Sequence, residues 1–507
     1  MARADTGQRR LAATDRAEMT IAEFGFGDLS ETVRQFLQDV GLYTVAGLVP
    51  ALFSVLALTI FTRLFRPAAF GRYSIAIAVG GIVSTLLFGW LNNAIIRFAP
   101  EVDTEQLVGT VFAVVAGLST ALVALAAVGY GLAGDSLGAY QPFYVAKLAF
   151  LVLQGTFQPM VAVFRATLNS KYVTLFMCVK SVVMLASALL VVLYVTDHIT
   201  GWIWGHVIGM AVGILALLAA SDILIARPRV DRSVLVRIAG YGLPMVGWIL
   251  GDPLLNQADR FLIEFLRGSA MVGIYFSNYS LADRGLRLAM IPLLDAIQPI
   301  IINRWEGDNE AEIEALLTRF TKYFLLLAVP ALVLLAALSR PLSTVFLGEA
   351  YHEGYVVIPI VATGVFVWSL SNLGQIGLEI RERTALMSRG LLCAVVFNVV
   401  VNVPLILTMG YLGAAIGTLL SYGVYALFVV RASRSRIEWR LPTATVVRGG
   451  IAGCGMATVP GLLYVSGWYS FERIFLAAGL SLVTYASGLY LTGELSRDTV
   501  VQLRNMT

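Results

Sequence analysis

The chain is expected to be an all-α polytopic membrane protein with about fourteen transmembrane helices, and three observations lead there. Of its 507 residues, 58% are hydrophobic and only 13% are charged, whereas soluble globular domains carry roughly 25% charged residues; the mean hydropathy is +0.79. Apolar runs of about 20 residues, the length one helix needs to cross a bilayer, recur along the whole chain. Lysine and arginine gather in alternate connections between those runs. An ordinary soluble enzyme is excluded by this composition, and no nucleic-acid partner is expected.

The runs place spans at 41–62, 73–96, 107–130, 141–164, 173–195, 202–226, 238–259, 275–302, 314–338, 354–380, 386–408, 411–431, 443–466 and 473–493. The seventh and eighth carry the most polar residues. With the N-terminus inside, and residues near a span's end counted with the segment they border, the cytoplasmic side holds 25 of the 36 Lys and Arg and the outer side 8, leaving 3 (Lys180, Arg284 and Arg287) within spans. Basic residues favour the cytoplasmic side, so both termini are expected in the cytoplasm and the protein in the cell membrane.

The first 40 residues are polar and lack the short apolar core of a cleavable signal. Their last part, "FGFGDLSETVRQFLQDVG", has Phe26, Leu29, Val33, Phe36, Leu37 and Val40 at helical spacing, with Asp28 and Glu31 as a capping pair. An amphipathic helix on the membrane surface is predicted there, the alternative being a disordered arm. Cys178, Cys393 and Cys454 are far apart, each in an apolar run, which matches neither a metal spacing nor a disulfide framework. The three histidines are equally scattered, and His206 reads as a packed polar group. No metal or other cofactor is expected.

Basic clusters after span six (Arg227, Arg229, Arg232, Arg237) and after span twelve (Arg431, Arg434, Arg436, Arg440, Arg448) divide the chain. The predicted units are a cytoplasmic arm 1–40, a first lobe 41–232 with six spans, a second lobe 233–432 with six, and 433–507 with the last two and a cytoplasmic tail. An internal repeat supports the division. "RLFRPAAFGRYSIA" sets Arg66, Gly71 and Tyr73 in the order that "EFLRGSAMVGIYFSN" gives Arg267, Gly273 and Tyr275. "HITGWIWGHVIG" (198–209) and "TMGYLGAAIG" (408–417) both join the fifth and sixth spans of their lobe. Two pseudo-symmetric lobes facing a central cavity suit alternating access by rocking. Gly205, Gly209 and Gly213, with Gly413 and Gly417, read as helix-packing positions. Prolines at 50, 244, 253, 292, 299 and 404 mark kinks, concentrated in the hairpin of spans seven and eight.

That hairpin also carries the charge. "GDPLLNQADR" places Asp252, Asn256, Asp259 and Arg260 mostly on one face of span seven. Span eight adds Asn278, Asp283, Arg284, Arg287 and, deeper, Asp295. Asp283 and Arg287 are four apart and can pair, which leaves a cation over; Asp259 is a possible second partner. A charge at mid-bilayer costs about 2.5–3.5 kcal/mol on insertion scales, so its presence asks for a reason. In one reading the arginines face a water-filled cavity and bind an anion, for which the guanidinium fork suits phosphate. In the other, span eight enters the bilayer only near Leu288 and the arginines snorkel to outer headgroups. Arg97, closing span two after Asn92 and Asn93, could meet a phosphate at the inner leaflet or serve as a positive-inside anchor. Lys180 and Lys147 are weaker candidates, and Asp252 with Asp259 could bind a coupling cation.

"FTRLFRPAAFGRYSIA", then "NNAIIRFAPE", then "ADRFLIEFLRGSAMVGIYFSNYSLADR" together resemble the polysaccharide-biosynthesis flippases of the multidrug/oligosaccharidyl-lipid/polysaccharide exporter superfamily, over about 41–431. The resemblance implies a MATE-like plan: a V-shaped pair of six-helix lobes plus two C-terminal helices. It implies flipping of a lipid-linked oligosaccharide (on polyprenyl phosphate or diphosphate) from the cytoplasmic to the outer leaflet, with Na⁺, H⁺ or the membrane potential as possible driving force, and no enzymatic step. By position it carries over Arg284 and Arg287 as phosphate-binding residues and Arg97 at the end of span two. The first lobe's nearly uncharged lining departs from that pattern. The alternative within the superfamily is a cation-coupled multidrug or organic-cation antiporter, which usually has an acid in the first span; "VAGLVPALFSVLALTIFT" has none. A glycosyltransferase or ligase on polyprenyl-linked sugars would need a catalytic domain that the short connections do not provide.

Overall fold

The computed structural model describes residues 47–99, 101–166, 170–220, 229–305, 310–381, 383–433, 437, 439–465 and 471–495. The surface helix expected within 1–40 lies outside them. Fourteen long helices account for most of the described chain: α1 Gly47–Leu64 and α2 Pro67–Phe98, α3 Thr104–Ala133, α4 Gln141–Ala166, α5 Ser170–Tyr194, α6 Thr200–Ala220, α7 Arg232–Arg267, α8 Ser269–Trp305, α9 Glu310–Ala337, α10 Val357–Ile380, α11 Thr384–Met409, α12 Tyr411–Ser433, α13 Thr443–Val465 and α14 Phe471–Leu491. Strands are absent among the described residues. Twelve stretches are long and apolar enough to cross a membrane; one of them, Thr104–Phe164, takes in both α3 and α4. The helix outside that set is α8, which carries Asp283, Arg284 and Arg287.

The helices pack in an order that repeats. In the first half α2 lies against α4, α4 against α6 and α6 against α5; in the second, α8 lies against α10, α10 against α12 and α12 against α11. The contact of α3 with α4 likewise has its counterpart in that of α9 with α10. Small residues make the tight pairs. A Cβ on Gly205 would fall 2.4 Å from the Ala188 backbone, and one on Gly413 2.1 Å from the Leu405 carbonyl oxygen. Such close approach is how helices gain packing energy where no hydrophobic effect drives them together.

The last two helices pack on each other and on α9. Glu494, just past α14, pins them: Lys322 Nζ and Arg448 Nη1 each donate to its carboxylate at 2.9 Å and Thr445 Oγ1 at 2.7 Å. Burial pushes this carboxyl upward, but the three donors outweigh it and hold it below the usual glutamate range. The stabilisation is therefore present at neutral pH and is lost only as pH falls through that lowered value.

The halves meet along α2, which touches both α7 and α8. At the α1–α2 end the crossing is reciprocal. A Cβ on Gly71 would sit 1.8 Å from the carbonyl oxygen of Ser269, and one on Gly273 2.0 Å from that of Pro67. These are the glycines that the internal repeat aligns, and the tyrosines two residues on, Tyr73 and Tyr275, are both buried. The segment between α9 and α10 closes over this crossing: Gly348 N–H donates to Thr62 Oγ1 at 3.1 Å, Tyr351 OH to Phe65 O at 2.7 Å, and Arg63 Nη2 to Val345 O at 2.8 Å. At the α2–α3 end the halves are held differently. Glu101 accepts from Arg97 and from Arg237 of α7, and Arg229 N–H donates to Gly109 O at 3.2 Å. Asp231 N–H donates to Thr110 Oγ1 at 3.1 Å, while its carboxylate caps α7 through Ser233 and Val234.

Gly71→Ala or Gly273→Ala drives a methyl group into a backbone carbonyl and so disfavours this closed crossing. Spin labels on the α1–α2 and α7–α8 turns should report longer distances in either variant than in the parent; an unchanged distribution would mean that the crossing does not hold the halves.

Candidate functional site

Polar side chains collect on α7 and α8 beside the seam between the halves. At 1.5 Å per residue the 37-residue α8 is about 55 Å long, and its cluster begins about 21–27 Å from its first residue. That is the middle of the helix. Asp283 and Arg287 form the pair their spacing allows, Nε to Oδ1 at 2.7 Å, with side chains 22% and 38% exposed. Arg284 turns away from them: its Nη1 donates to the carbonyl oxygen of Ser54 on α1 at 2.9 Å. One arginine of α8 is thus spent within the helix, and the next reaches the opposite half.

The residues of α7 have other partners. Asp259 is fully buried and accepts from Tyr275 OH, from Thr418 Oγ1 at 3.3 Å and from the Arg260 N–H at 2.8 Å. It is not joined to Arg284 or Arg287, because the tyrosine of α8 and the threonine of α12 reach it first. Arg260, 8% exposed, lies over the rings of Phe276 at 4.4 Å and Tyr279 at 5.5 Å, a cation–π setting, and its Nε has no hydrogen-bond partner. Asn256 accepts from Tyr422 OH of α12. Behind Asp259 stand Asn398 and Asn402 of α11, both fully buried. Asn398 Nδ2 donates to Thr418 Oγ1 at 3.4 Å, but its Oδ1 and both amide atoms of Asn402 have no partner. Buried amide atoms without partners cost about 1–3 kcal/mol each, and Thr418 links this group to Asp259. The Asp252 and Asp295 side chains lie outside the described set.

Arg97 is not part of this group. It sits at the far end of α2, 55% exposed and paired with Glu101, within the contact that joins the halves there. Asn278 is structural: it donates to Tyr351 O at 2.9 Å and accepts from Ser343 Oγ at 2.8 Å, anchoring the α9–α10 segment.

The first half is less bare than its sequence suggests. Lys147 of α4 is 8% exposed, with Nζ 4.2 Å from the Phe150 ring centre; that ring is 5.7 Å from the ring of His206 on α6. Lys180 of α5 lies over Phe157 at 4.8 Å. Lys147, Lys180 and Arg284 all act electrostatically on His206. Four helices supply these groups, so no single stretch of sequence displays them together.

Two six-helix halves that repeat one packing order, with a polar seam between them and two further helices, make this a membrane transporter fold. The structure superposes on lipid II flippase MurJ in an inward closed conformation with a TM-score of 0.71, covering 89% of this chain and 98% of that one at 13% identity. An inward-facing multidrug resistance MATE family transporter of the MOP superfamily gives 0.55, over 80% and 94% at 16% identity. The Vibrio cholerae MATE transporter VcmN in its bent form gives 0.52, over 80% and 98% at 17% identity. In sequence, a probable low-salt glycan biosynthesis flippase, Agl15 of Haloferax volcanii, is 25% identical over 201 residues, 36% of this chain and 43% of that protein; the match spans less than half of the relative's length. A family model described as polysaccharide biosynthesis protein matches residues 60–356, more than half of the chain. The protein belongs to that family.

The two acids should behave differently on neutralisation. Asp283→Asn loosens a half-open i,i+4 pair and should cost under about 1 kcal/mol. Asp259→Asn replaces one oxygen of a fully buried carboxylate that has three donors with an NH2 group facing a donor, and should cost about 1–3 kcal/mol. Thermal melting in detergent orders them, and equal melting points would contradict the burial of Asp259.

Proposed function

We propose that this protein flips a lipid-linked oligosaccharide, on a polyprenyl phosphate or diphosphate, from the cytoplasmic to the outer leaflet, moving the lobes 41–232 and 233–432 against each other. The observation that carries this reading is Arg284: a mid-helix cation at the seam, hydrogen-bonded to a carbonyl of the other half, beside an Asp283–Arg287 pair that leaves it without its own carboxylate. A diphosphate or phosphate entering the seam can take that carboxylate's place while the prenyl tail stays in lipid. Dragging the headgroup through hydrocarbon would instead cost several kcal/mol for each unsatisfied polar group. The names of two similar proteins, a glycan biosynthesis flippase and a lipid II flippase, support the same substrate class. The positive-inside count supports a cell-membrane location with both termini cytoplasmic. An antiporter reading has less support, since α1 contains no acid.

A coupling cation fits the second half. Asp259, Thr418, Asn398 and Asn402 offer oxygens in one buried place, several of them without partners, which is the ligand type that Na⁺ or H⁺ would use. Asp252 remains a further candidate for the same role.

Cells lacking the protein should accumulate a polyprenyl-linked oligosaccharide in lipid extracts and lose the matching surface glycan, read by mass spectrometry. Arg284→Ala with Arg287→Ala should reproduce that defect at normal protein levels; full glycan display in the double variant would remove the two arginines from the site. An unchanged lipid profile in the deletion strain would turn the reading to the antiporter. Asp259→Ala should abolish any Na⁺ or proton dependence of flipping in vesicles, and a dependence left intact would place the cation elsewhere.

A further inference from the structure

Charge accounting across the seam leaves three cations without an ion pair among the described residues: Arg260, which rests on two aromatic rings, Arg284 and Lys147. Asp283 is bound to Arg287, and Asp259 is taken by Tyr275, Thr418 and the Arg260 N–H. Arg284 has a carbonyl oxygen for a partner. On the other side Lys147, nearly buried, rests on the face of Phe150 and has no ion pair among the described residues. Beside the same Phe150 ring, 5.7 Å from it, stands His206, whose Nδ1 is buried with no hydrogen-bond partner. Burying one ion without a counter-charge costs several kcal/mol, and a cation–π contact returns about 0.5–2 kcal/mol. Such an ammonium is relieved either by losing its proton or by an anion from outside the chain.

The surroundings of Lys147 are shaped to hold its side chain in place. The stem lies across Gly80 of α2: a Cβ there would be 1.7 Å from Lys147 Cε and 2.7 Å from Nζ. Trp202 borders the same space, 6.2 Å from His206 and stacked on Phe61 of α1 and Tyr73 of α2 at 4.2 and 4.4 Å. Rings on three helices thus build one wall around the imidazole and the ammonium.

We propose that Lys147 and His206 form an oxyanion subsite in the first half, opposite Arg284, which takes a phosphoryl or carboxylate group of the transported headgroup. The inference rests on the flippase reading and supplies what that reading lacked, a hold on the headgroup from the first half. Lysine acts there as a compact point charge, whereas Arg284 offers a planar fork. The two together grip one anion from both halves. The shared chemistry is an oxyanion, and its source is either the lipid carrier's phosphate or an acidic sugar.

The test uses the full chain in lipid nanodiscs, with undecaprenyl phosphate, neutral undecaprenol and soluble glucuronate as probes, read by tryptophan fluorescence and thermophoresis. Lys147→Met should weaken binding of an anionic probe about tenfold, near 1.4 kcal/mol, and Lys147→Arg should restore most of it. Gly80→Ala displaces the ammonium without removing its charge and should mimic Lys147→Met. Because the atoms it meets belong to a flexible side chain, it should keep its melting point, and it decides the matter if Lys147→Met does not fold. Loss for undecaprenyl phosphate assigns the subsite to the carrier phosphate, and loss for glucuronate assigns it to an acidic sugar. Parental affinity for both probes in Lys147→Met and Gly80→Ala overturns the subsite. A parent protein that prefers neither anion over undecaprenol would instead undermine the flippase reading itself.

Discussion

A guanidinium in the middle of a membrane-embedded helix must be answered by charge or by strong dipoles, and the way each arginine of the α7–α8 hairpin is answered organises the whole seam. Arg287 has Asp283 one turn away. Arg260 has two aromatic faces and the neighbouring Asp259. Arg284 is answered across the gap, by the Ser54 carbonyl on α1. Its partner therefore depends on how the halves sit. Under the proposed function, a phosphate headgroup would compete with that cross-link, since it adds a full negative charge and can accept two parallel bonds from the guanidinium. Ligand occupancy and the relation of the halves are then coupled through one side chain.

The two ends of the seam are closed by unlike forces, and their magnitudes differ. At the α1–α2 end, helix backbones touch through Gly71 and Gly273, and Gly348, Tyr351 and Arg63 add hydrogen bonds that cross between the halves. Separating them exposes backbone groups, each of which costs about 1–3 kcal/mol if left unsatisfied. At the α2–α3 end Glu101 bridges Arg97 and Arg237, all of them substantially exposed. Exposed ion pairs contribute about 0–1 kcal/mol and are screened by salt. The ionic end is the cheaper of the two to open. Pro244 and Pro253 lie inside α7, on the helix that carries that ionic contact, and each removes a backbone hydrogen bond that would otherwise resist bending.

Much of this was legible in the sequence, for reasons that can be named. Composition and the recurrence of apolar runs determine an all-helical membrane fold. Hydropathy reads the membrane portion of a helix rather than its full length, so α7 runs from Arg232 to Arg267 where the apolar run suggested 238–259. The Asp283–Arg287 pair follows from i,i+4 geometry alone. The repeat aligned Gly71 with Gly273, but the reason, a reciprocal crossing of α2 and α8, is a tertiary fact. The environment of Asp259 was hidden for the same cause: Thr418 lies 159 residues away, so a charged neighbour across the hairpin looked the better partner. The convergence of Lys147, Lys180 and His206 was likewise invisible, since each sits alone in an apolar run of its own helix. Arg97 is the reverse case, a conspicuous cation whose partner, Glu101, stands only four residues on.

The halves have kept their scaffold and divided their chemistry. Packing order, crossing glycines and the buried tyrosines that follow them repeat across about 200 residues, because a device that opens at alternate ends needs two bodies able to meet in like manner at a shared seam. The polar content has no reason to repeat. The second half holds Asp259 with the amides of Asn398 and Asn402, a set of oxygens and uncharged dipoles, while the matching interior of the first half holds Lys147, Lys180 and His206. The second interior gathers a carboxylate and amides around α7, α11 and α12, the first gathers cations and an imidazole, and Arg260, Arg284 and Arg287 add positive charge to the second half as well. Tyr73 and Tyr275 mark where the two diverge: the first stacks on Trp202 of the cationic wall at 4.4 Å, and the second donates its hydroxyl to Asp259. A symmetric frame can thus hold an acid-and-amide pocket in one half and a lysine–histidine pocket in the other, while Arg284 crosses between the halves at the seam.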